Sequence, residues 1–271
     1  KTDAIMKVIP MNQDGELIFS EYEKLLSNKT RVVFVNHVSN ALGTINPVKE
    51  IISKAHEFGA AVLIDGAQAL PHFEVDVKDL DVDFYVGSAH KFYGPTGVGI
   101  LYGKEKWLNK LPPYQGGGEM IDEVTFEKTT YAKLPNKFEA GTPNISGVIA
   151  SGIAIDYINN IGLKTILKYE NALLKYATEK LLEIDGIKIY GNTDNKTSVI
   201  SFNLGNIHHY DIGSIIDNEG IAVRTGHHCA QPIMDYYKIP GTIRLSLSFY
   251  NTKEEIDSLI SAIILAKKML S

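Results

Sequence analysis

Lys91 is the residue whose setting most invites chemistry. It lies in Asp83–Tyr102, D-F-Y-V-G-S-A-H-K-F-Y-G-P-T-G-V-G-I-L-Y, between two apolar runs that read as short strands, 83–86 and 98–102. Ser88 and His90 stand beside it, and Gly94, Pro95, Gly97 and Gly99 build the turn that follows. Lysines are seldom buried unless paired or reacted. A desolvated lysine loses its proton readily and becomes an amine nucleophile. The plain alternative is an ammonium in water at a strand end. Asp65 weighs against it. It closes the apolar run Ala60–Ile64, so it sits at the carboxyl end of a strand, where open α/β sheets place their ligands. Gly66, Ala67 and Gln68 follow it.

An acid at one strand end and a lysine just past a later one is the pair that pyridoxal phosphate needs. The amine bonds to the cofactor's aldehyde, and the carboxylate keeps the pyridine nitrogen protonated so that the ring accepts electrons. A second group lies far along the chain, in R-T-G-H-H-C-A-Q-P at 224–232, which contains the only cysteine, Cys229. A lone cysteine is commonly a small buried hydrophobe, but the polar neighbours here argue for exposure, and a thiolate is a strong nucleophile. His227, His228 and Cys229 do not read as a metal site: adjacent side chains diverge and no second cluster has ligand spacing, so no metal is expected. Arg244 lies inside T-I-R-L-S-L. An arginine in such a run is paired or at an edge. Its fork suits a carboxylate, with a structural ion pair as the alternative.

D-G-A-Q-A (65–69) with S-A-H-K (88–91) resembles the fold-type I pyridoxal-phosphate enzymes of the class V aminotransferase family. R-T-G-H-H-C-A-Q-P narrows the resemblance to the group II cysteine desulfurases, relatives of the selenocysteine lyases. It runs from near Val8 to the C-terminus. It implies that Lys91 holds the cofactor and moves the substrate's α-proton, that Asp65 partners the pyridine nitrogen, and that Gln68 bonds the phenolic oxygen. Ser88 and His90 become phosphate ligands. Asn40 contacts the substrate carboxylate or a cofactor oxygen. Arg244 takes the α-carboxylate, with Arg224 a second candidate, and Cys229 carries a persulfide. Thr142, in F-E-A-G-T-P-N, is either a residue that reaches the partner's cofactor phosphate across a homodimer or a helix-entry cap. The implied activity converts L-cysteine to L-alanine and passes the Cys229 persulfide to a sulfur-acceptor protein of the Suf type for iron–sulfur cluster assembly. A selenocysteine lyase or another class V enzyme is the alternative within the fold, and an inactive fragment the alternative outside it. Family members are longer, and the resemblance places the missing part, with the phosphate-binding turn and the ring-stacking residue, before Lys1.

The rest of the chain must position these groups. Its 271 residues are 44% hydrophobic, enough for one large or two modest cores, and a net charge of −5 without a basic block speaks against a nucleic-acid partner. No apolar run approaches the roughly 20 residues of a membrane span, and no cleavable leader is evident. One cysteine excludes a disulfide framework and fits a reducing, cytoplasmic setting. Strands are expected at 5–9, 31–35 and 60–64 and helices at 19–27 and 47–58, the second opened by Pro47 and closed by Gly59. The continuous run R-V-V-F-V suits a parallel sheet covered on both faces, with a right-handed crossover to the next strand. Residues 111–120 read as a glycine-rich mobile loop, and 146–160 as a helix. A boundary near Gly162 divides a pyridoxal-phosphate-binding large domain, 1–161, from a small α+β domain, 162–271, with helices at 163–184, 210–219, 230–237 and 253–270 and strands at 187–190, 198–204, 222–224 and 242–247. The expected class is α/β, fold type I, with a mainly parallel sheet.

Overall fold

Two four-stranded sheets organise the computed structural model, which describes residues 3–270. The first contains β1 (Val32–Asn36), β2 (Ala61–Asp65), β3 (Phe84–Ser88) and β4 (Gly99–Gly103) in that spatial order. β1, β2 and β3 are parallel and β4 returns antiparallel, so the sheet is mainly parallel, as expected for the fold class. α1 (Phe19–Leu25) precedes β1, and α2 (Val48–Glu57) carries the chain from β1 to β2. Pro47 sits at the entry of α2, whose Val48, Ile51, Ile52 and Ala55 are spaced to bury one stripe. That stripe packs on Val33, Val35, Val62 and Ile64, which point to the same side of the sheet because strand side chains alternate. Asn36 pairs with Asp65, and Asp65 with Val86, so β1 and β2 finish level and β3 runs two residues further, to Ser88, at the same edge.

Asp83, just ahead of β3, fastens the opposite edge. Its buried carboxylate accepts from Val62 N (2.9 Å), His56 Nε2 (2.8 Å) and Trp107 Nε1 (2.7 Å). Burial opposes its ionisation, but the bonds from His56, Trp107 and Val62 outweigh that and hold the carboxyl below its usual range. Trp107 belongs to α3 (Glu105–Leu108), a turn the sequence pattern does not reveal.

α4 (Ile145–Ile161) runs to Gly162, whose φ of +90° turns the chain into α5 (Leu163–Leu182). The second sheet holds β7 (Ile187–Tyr190), β8 (Val199–Leu204), β9 (Arg224–Gly226) and β10 (Thr242–Ser246), ordered β7-β8-β10-β9 and antiparallel throughout. α5, α6 (His209–Asn218) and α8 (Lys253–Leu270) supply Leu173, Leu181, Ile212, Ile216, Leu259 and Ile263 to a core shared with Ile200, Phe202 and Ile243. α7 (Gln231–Tyr237) connects β9 to β10. No helix among the described residues is long and apolar enough to cross a membrane.

Three expectations are corrected, and one element is added. Residues 5–9 form no strand: Ile5 is 88% exposed and no neighbouring strand lies alongside to bond it. The strand expected at 222–224 lies at Arg224–Gly226, because pairing with β10 sets its bounds. After the loop at 111–120 comes a hairpin, β5 (Ile121–Val124) and β6 (Thr129–Tyr131), too short to stand out as a pattern. The sheet is not covered on both faces within this chain. Val33 and Val35 are buried, whereas Phe34 is 69% exposed, and α4, apolar around its circumference, leaves Ile149 and Ile153 at 64% and 67%.

Candidate active site

Asp65 ends β2 with its side chain exposed, and its Oδ1 accepts from the backbone N–H of Ala67 at 2.9 Å. This local bond shapes the turn that carries Gln68. Gly66 is required there, because a Cβ would lie 1.9 Å from Cε1 of the buried Tyr85 ring. Tyr85 in turn lies 2.9 Å from His37 Nδ1 through its hydroxyl. Burial, reinforced by the Asp65 charge, pushes the Tyr85 phenol upward, and burial lowers the His37 imidazole to about 4. Tyr85 is therefore the donor and neutral His37 the acceptor. This supporting pair is not visible in the sequence pattern.

β3 ends at Ser88, and a single 3₁₀ turn, Ala89–Phe92, presents His90 and Lys91 before Tyr93 closes it at a φ of +67°. Ser88 Oγ and His90 Nδ1 lie 3.0 Å apart on an exposed ledge, so His90 is not a core histidine. Lys91 is half-buried. Among the described residues its ammonium has no hydrogen bond or ion pair. It lines a cavity of about 190 Å³ together with Gln68, His72, Arg244, Ser246 and Tyr250. Residues far apart in sequence are thus brought to one space by the two sheets.

Arg244 enters this cavity from β10. Its Nη1 donates to Asn40 O at 2.9 Å, and its Nε is buried without a partner. Directly opposite it across the strands stands Arg224. Neither guanidinium pairs with a carboxylate among the described residues, so the structural ion pair is not formed. Burial, then Arg224, lowers the Arg244 guanidinium. Opposed like charges on paired strands are destabilising; a bound anion would relieve them.

The Cys229 loop is held by the same neighbours. His228 and Cys229 have φ values of +54° and +56°, a left-handed conformation that costs side-chain-bearing residues about 1–2 kcal/mol each. Two side-chain bonds hold it: Asn40 Nδ2 donates to His228 O at 2.6 Å, and His228 Nε2 meets Thr242 Oγ1 at 2.8 Å. Asn40 therefore touches both the arginine and the cysteine loop, its amide nitrogen being taken by the loop. Cys229 itself is exposed. It lines a separate cavity of about 390 Å³ with Arg224, His208, His209 and His227. Burial, then the nearby Arg244 and Arg224, lowers the His228 imidazole to about 4. The described residues contain no group of three or more side chains able to hold a metal ion. Thr142 is exposed ahead of α4, and the cap of that helix is Asn144, whose side chain accepts from Gly147 N at 3.1 Å. The helix-cap alternative for Thr142 is therefore removed.

A mainly parallel sheet thus carries a lysine and an aspartate at its carboxyl edge, beside an antiparallel module carrying an arginine. The model of the aminotransferase class-V family matches residues 1–259, and the chain belongs to that family. It is 51% identical over 264 residues to a cysteine desulfurase of Enterobacter sp. (strain 638), covering 97% of this chain and 65% of that protein. It is 50% identical over 271 residues to one of Cronobacter sakazakii (strain ATCC BAA-894), covering all of this chain and 66% of the relative. The chain thus spans slightly less than two thirds of the curated relatives' length. Two solved structures superpose closely. The cysteine desulfurase of Escherichia coli in its S-sulfonic acid form gives a TM-score of 0.93 at 35% identity, over 97% of this chain and 65% of the other. The apo cysteine desulfurase of Thermococcus onnurineus NA1 gives 0.92 at 39%, over 97% and 66%.

Proposed function

We propose that the protein is a pyridoxal-phosphate-dependent cysteine desulfurase. One observation carries this reading: a lysine and an arginine that, among the described residues, have no carboxylate partner line one cavity, and the only cysteine lies on a strained loop bonded to that arginine's neighbour, Asn40. The similarity to cysteine desulfurases supports it.

The residues present suit the cofactor. Lys91 has an amine without a partner, Asp65 has a carboxylate whose second oxygen makes no bond among the described residues, and Ser88 and His90 offer adjacent donors for a phosphate. Gln68 lines the cavity where a phenolic oxygen would need a donor. When bound, pyridoxal phosphate supplies an electrophilic aldehyde carbon and an electron-accepting ring. Arg244 would bind the α-carboxylate of L-cysteine through its planar fork, assisted by Arg224. Lys91 Nζ would take the proton from the substrate's α-carbon and later return one to it. The Cys229 thiolate would attack the substrate's sulfur, forming a sulfur–sulfur bond as the carbon–sulfur bond breaks. The electron pair stays on carbon, which takes up a proton to become the methyl group of L-alanine, and Cys229 keeps the persulfide. The cavity on the far side of Cys229 is open for an acceptor protein of the Suf type to collect that sulfur for cluster assembly. In this reading residues 1–161 are the cofactor-holding part and 162–271 the part that brings the arginine and cysteine. Thr142 faces a second copy in a homodimer.

The test is Cys229→Ala in the full-length protein. Visible absorbance of the bound cofactor persists, while sulfide and alanine formation from L-cysteine disappear. Continued sulfide release would overturn the assignment.

A further inference from the structure

The cavity of about 390 Å³ beside Cys229 has a one-sided lining. His208, His209, Arg224 and His227 face it, and among the described residues no aspartate or glutamate does. The chain carries a net charge of −5, so this gathering of cationic and proton-accepting groups runs against the protein's average. Three segments assemble it. α6 brings His208 and His209 at its N-terminal end, where the partial positive charge of the helix adds to theirs. β9 brings Arg224, whose guanidinium has no carboxylate partner among the described residues. The loop after β9 brings His227 and Cys229, with neutral His228 behind them. His208 Nδ1 accepts from Tyr210 N at 3.3 Å, which leaves its Nε2 to carry the proton. Arg224, His208, His227 and Cys229 are all exposed. The rings of His208 and His209 lie 4.2 Å apart. Burial, then the charges of His208 and His227, lowers the His209 imidazole, and Asp211 only partly opposes them. An anion in the cavity would relieve this crowding.

We propose that this cavity is an anion subsite for the sulfur acceptor: Arg224, His208 and His227 hold a carboxylate that flanks the acceptor protein's thiol while that thiol takes sulfur from Cys229. The proposal rests on the functional reading above, in which Cys229 carries a persulfide. The acceptor's thiolate attacks the outer sulfur of that persulfide. A new sulfur–sulfur bond forms as the bond to Cys229 Sγ breaks, Cys229 leaves as a thiolate, and the acceptor keeps the persulfide. A carboxylate beside a thiol disfavours its thiolate in water. A cationic wall offsets that penalty, and only once the acceptor is docked.

Two reagents that differ in charge read the cavity without cofactor or substrate. Iodoacetate carries a carboxylate and iodoacetamide does not. Both alkylate Cys229 in the full-length protein, and 2-mercaptoethanol supplies their intrinsic rate ratio. The iodoacetate-to-iodoacetamide ratio at Cys229 exceeds that reference about three- to tenfold, as one or two partly screened cations nearby would give. It rises further from about pH 8 to about pH 6 as the histidines take up protons. Ionisation of the thiol itself cancels in the ratio. The double substitution His208→Gln, His227→Gln lowers the ratio and removes most of its rise. A ratio no higher than the reference, flat in pH, or unchanged in the double variant overturns the proposal. Should His208→Gln loosen α6, which it caps, His227→Gln alone must reduce the rise by about half. The second arm uses the full-length protein loaded with pyridoxal phosphate and charged with sulfur from L-cysteine. Transfer is followed to the blocked tripeptides Glu-Cys-Glu and Lys-Cys-Lys. The double substitution lowers the acidic-to-basic rate ratio at least about threefold, and comparing the same peptides on both proteins cancels the intrinsic difference of their thiols. An unchanged ratio overturns the acceptor role. A wild-type protein that forms no persulfide defeats the functional reading, while the alkylation ratio still decides whether the cavity holds an anion.

Discussion

Replacing Asn40 with alanine separates the presence of the Cys229 thiol from its placement. The substitution removes one bond, from Asn40 Nδ2 to His228 O at 2.6 Å. It leaves the backbone carbonyl that Arg244 uses. His228 and Cys229 together store about 2–4 kcal/mol of left-handed strain. Each of the two side-chain bonds that restrain them contributes about 0.5–1.5 kcal/mol net. With one gone, only the bond from His228 to Thr242 offsets part of the strain, and the loop shifts further toward other conformations. The expected loss is about 1 kcal/mol, which shifts the melting temperature by about 2–4 °C in a chain of this size class and the population of the productive loop about fivefold. The assay compares two rates on full-length protein: alkylation of Cys229 by iodoacetamide, followed by mass, and persulfide formation from L-cysteine. Alkylation stays as fast as in the wild type or rises, because the thiol is already exposed. Persulfide formation falls about fivefold or more. If it remains within about twofold of wild type, the loop does not depend on Asn40 and the strain argument is wrong.

Two buried histidines predict an acid-sensitive fold. His37 and His228 have folded values near 4 against an ordinary 6.5, so only the unfolded chain binds their protons as pH falls. Their contribution is intact above about pH 6.5 and declines as pH falls from there to about 4, by up to about 3 kcal/mol each. Urea midpoints across that interval should show the fall, and His37→Gln, which keeps an acceptor for Tyr85, should reduce it by about half; an unchanged pH profile in that variant would exclude the assignment. Gly66→Ala drives a methyl group into the Tyr85 ring and should destabilise by about 1–3 kcal/mol. It also displaces the turn that carries Asp65 and Gln68, so cofactor uptake should weaken together with thermal stability; normal uptake would show that the ring yields.

The carboxyl edge of the first sheet was partly legible because the physics there is local. V-L-I-D is an apolar run that stops at an acid, so Asp65 had to fall at a strand end; the strand expected at 83–86 instead runs on to Ser88, because pairing with β4 extends it. The spacing of Ile51 and Ala55 between Pro47 and Gly59 likewise delimits α2 to within a residue or two, although Phe58, expected on the same face, lies past its end and is exposed. What escaped depends on distance or on company. His72 and Glu170, bonded at 2.6 Å, are 98 positions apart, and neither stands in a recognisable motif. The opposition of Arg224 and Arg244 comes from strand register, which two separate short strands do not specify. Ile5–Ile9 has strand composition but no neighbour with which to form a ladder. The apolar run of β1 was read as covered on both sides, which holds for Val33 and Val35 but not for Phe34.

The facing arginines also carry an evolutionary consequence. A fold gains nothing from holding two cations across one strand pair, one of them with a buried, unbonded Nε. Exchanging Arg224 for a neutral residue of similar reach would remove the repulsion and should make the ligand-free protein more robust. In the proposed reading the same exchange would weaken the hold on a carboxylate. Selection for a sturdier chain and selection for a working pocket therefore pull in opposite directions at this position, a trade-off between stability and activity. Variants recovered for heat tolerance alone would be expected to lose Arg224 early.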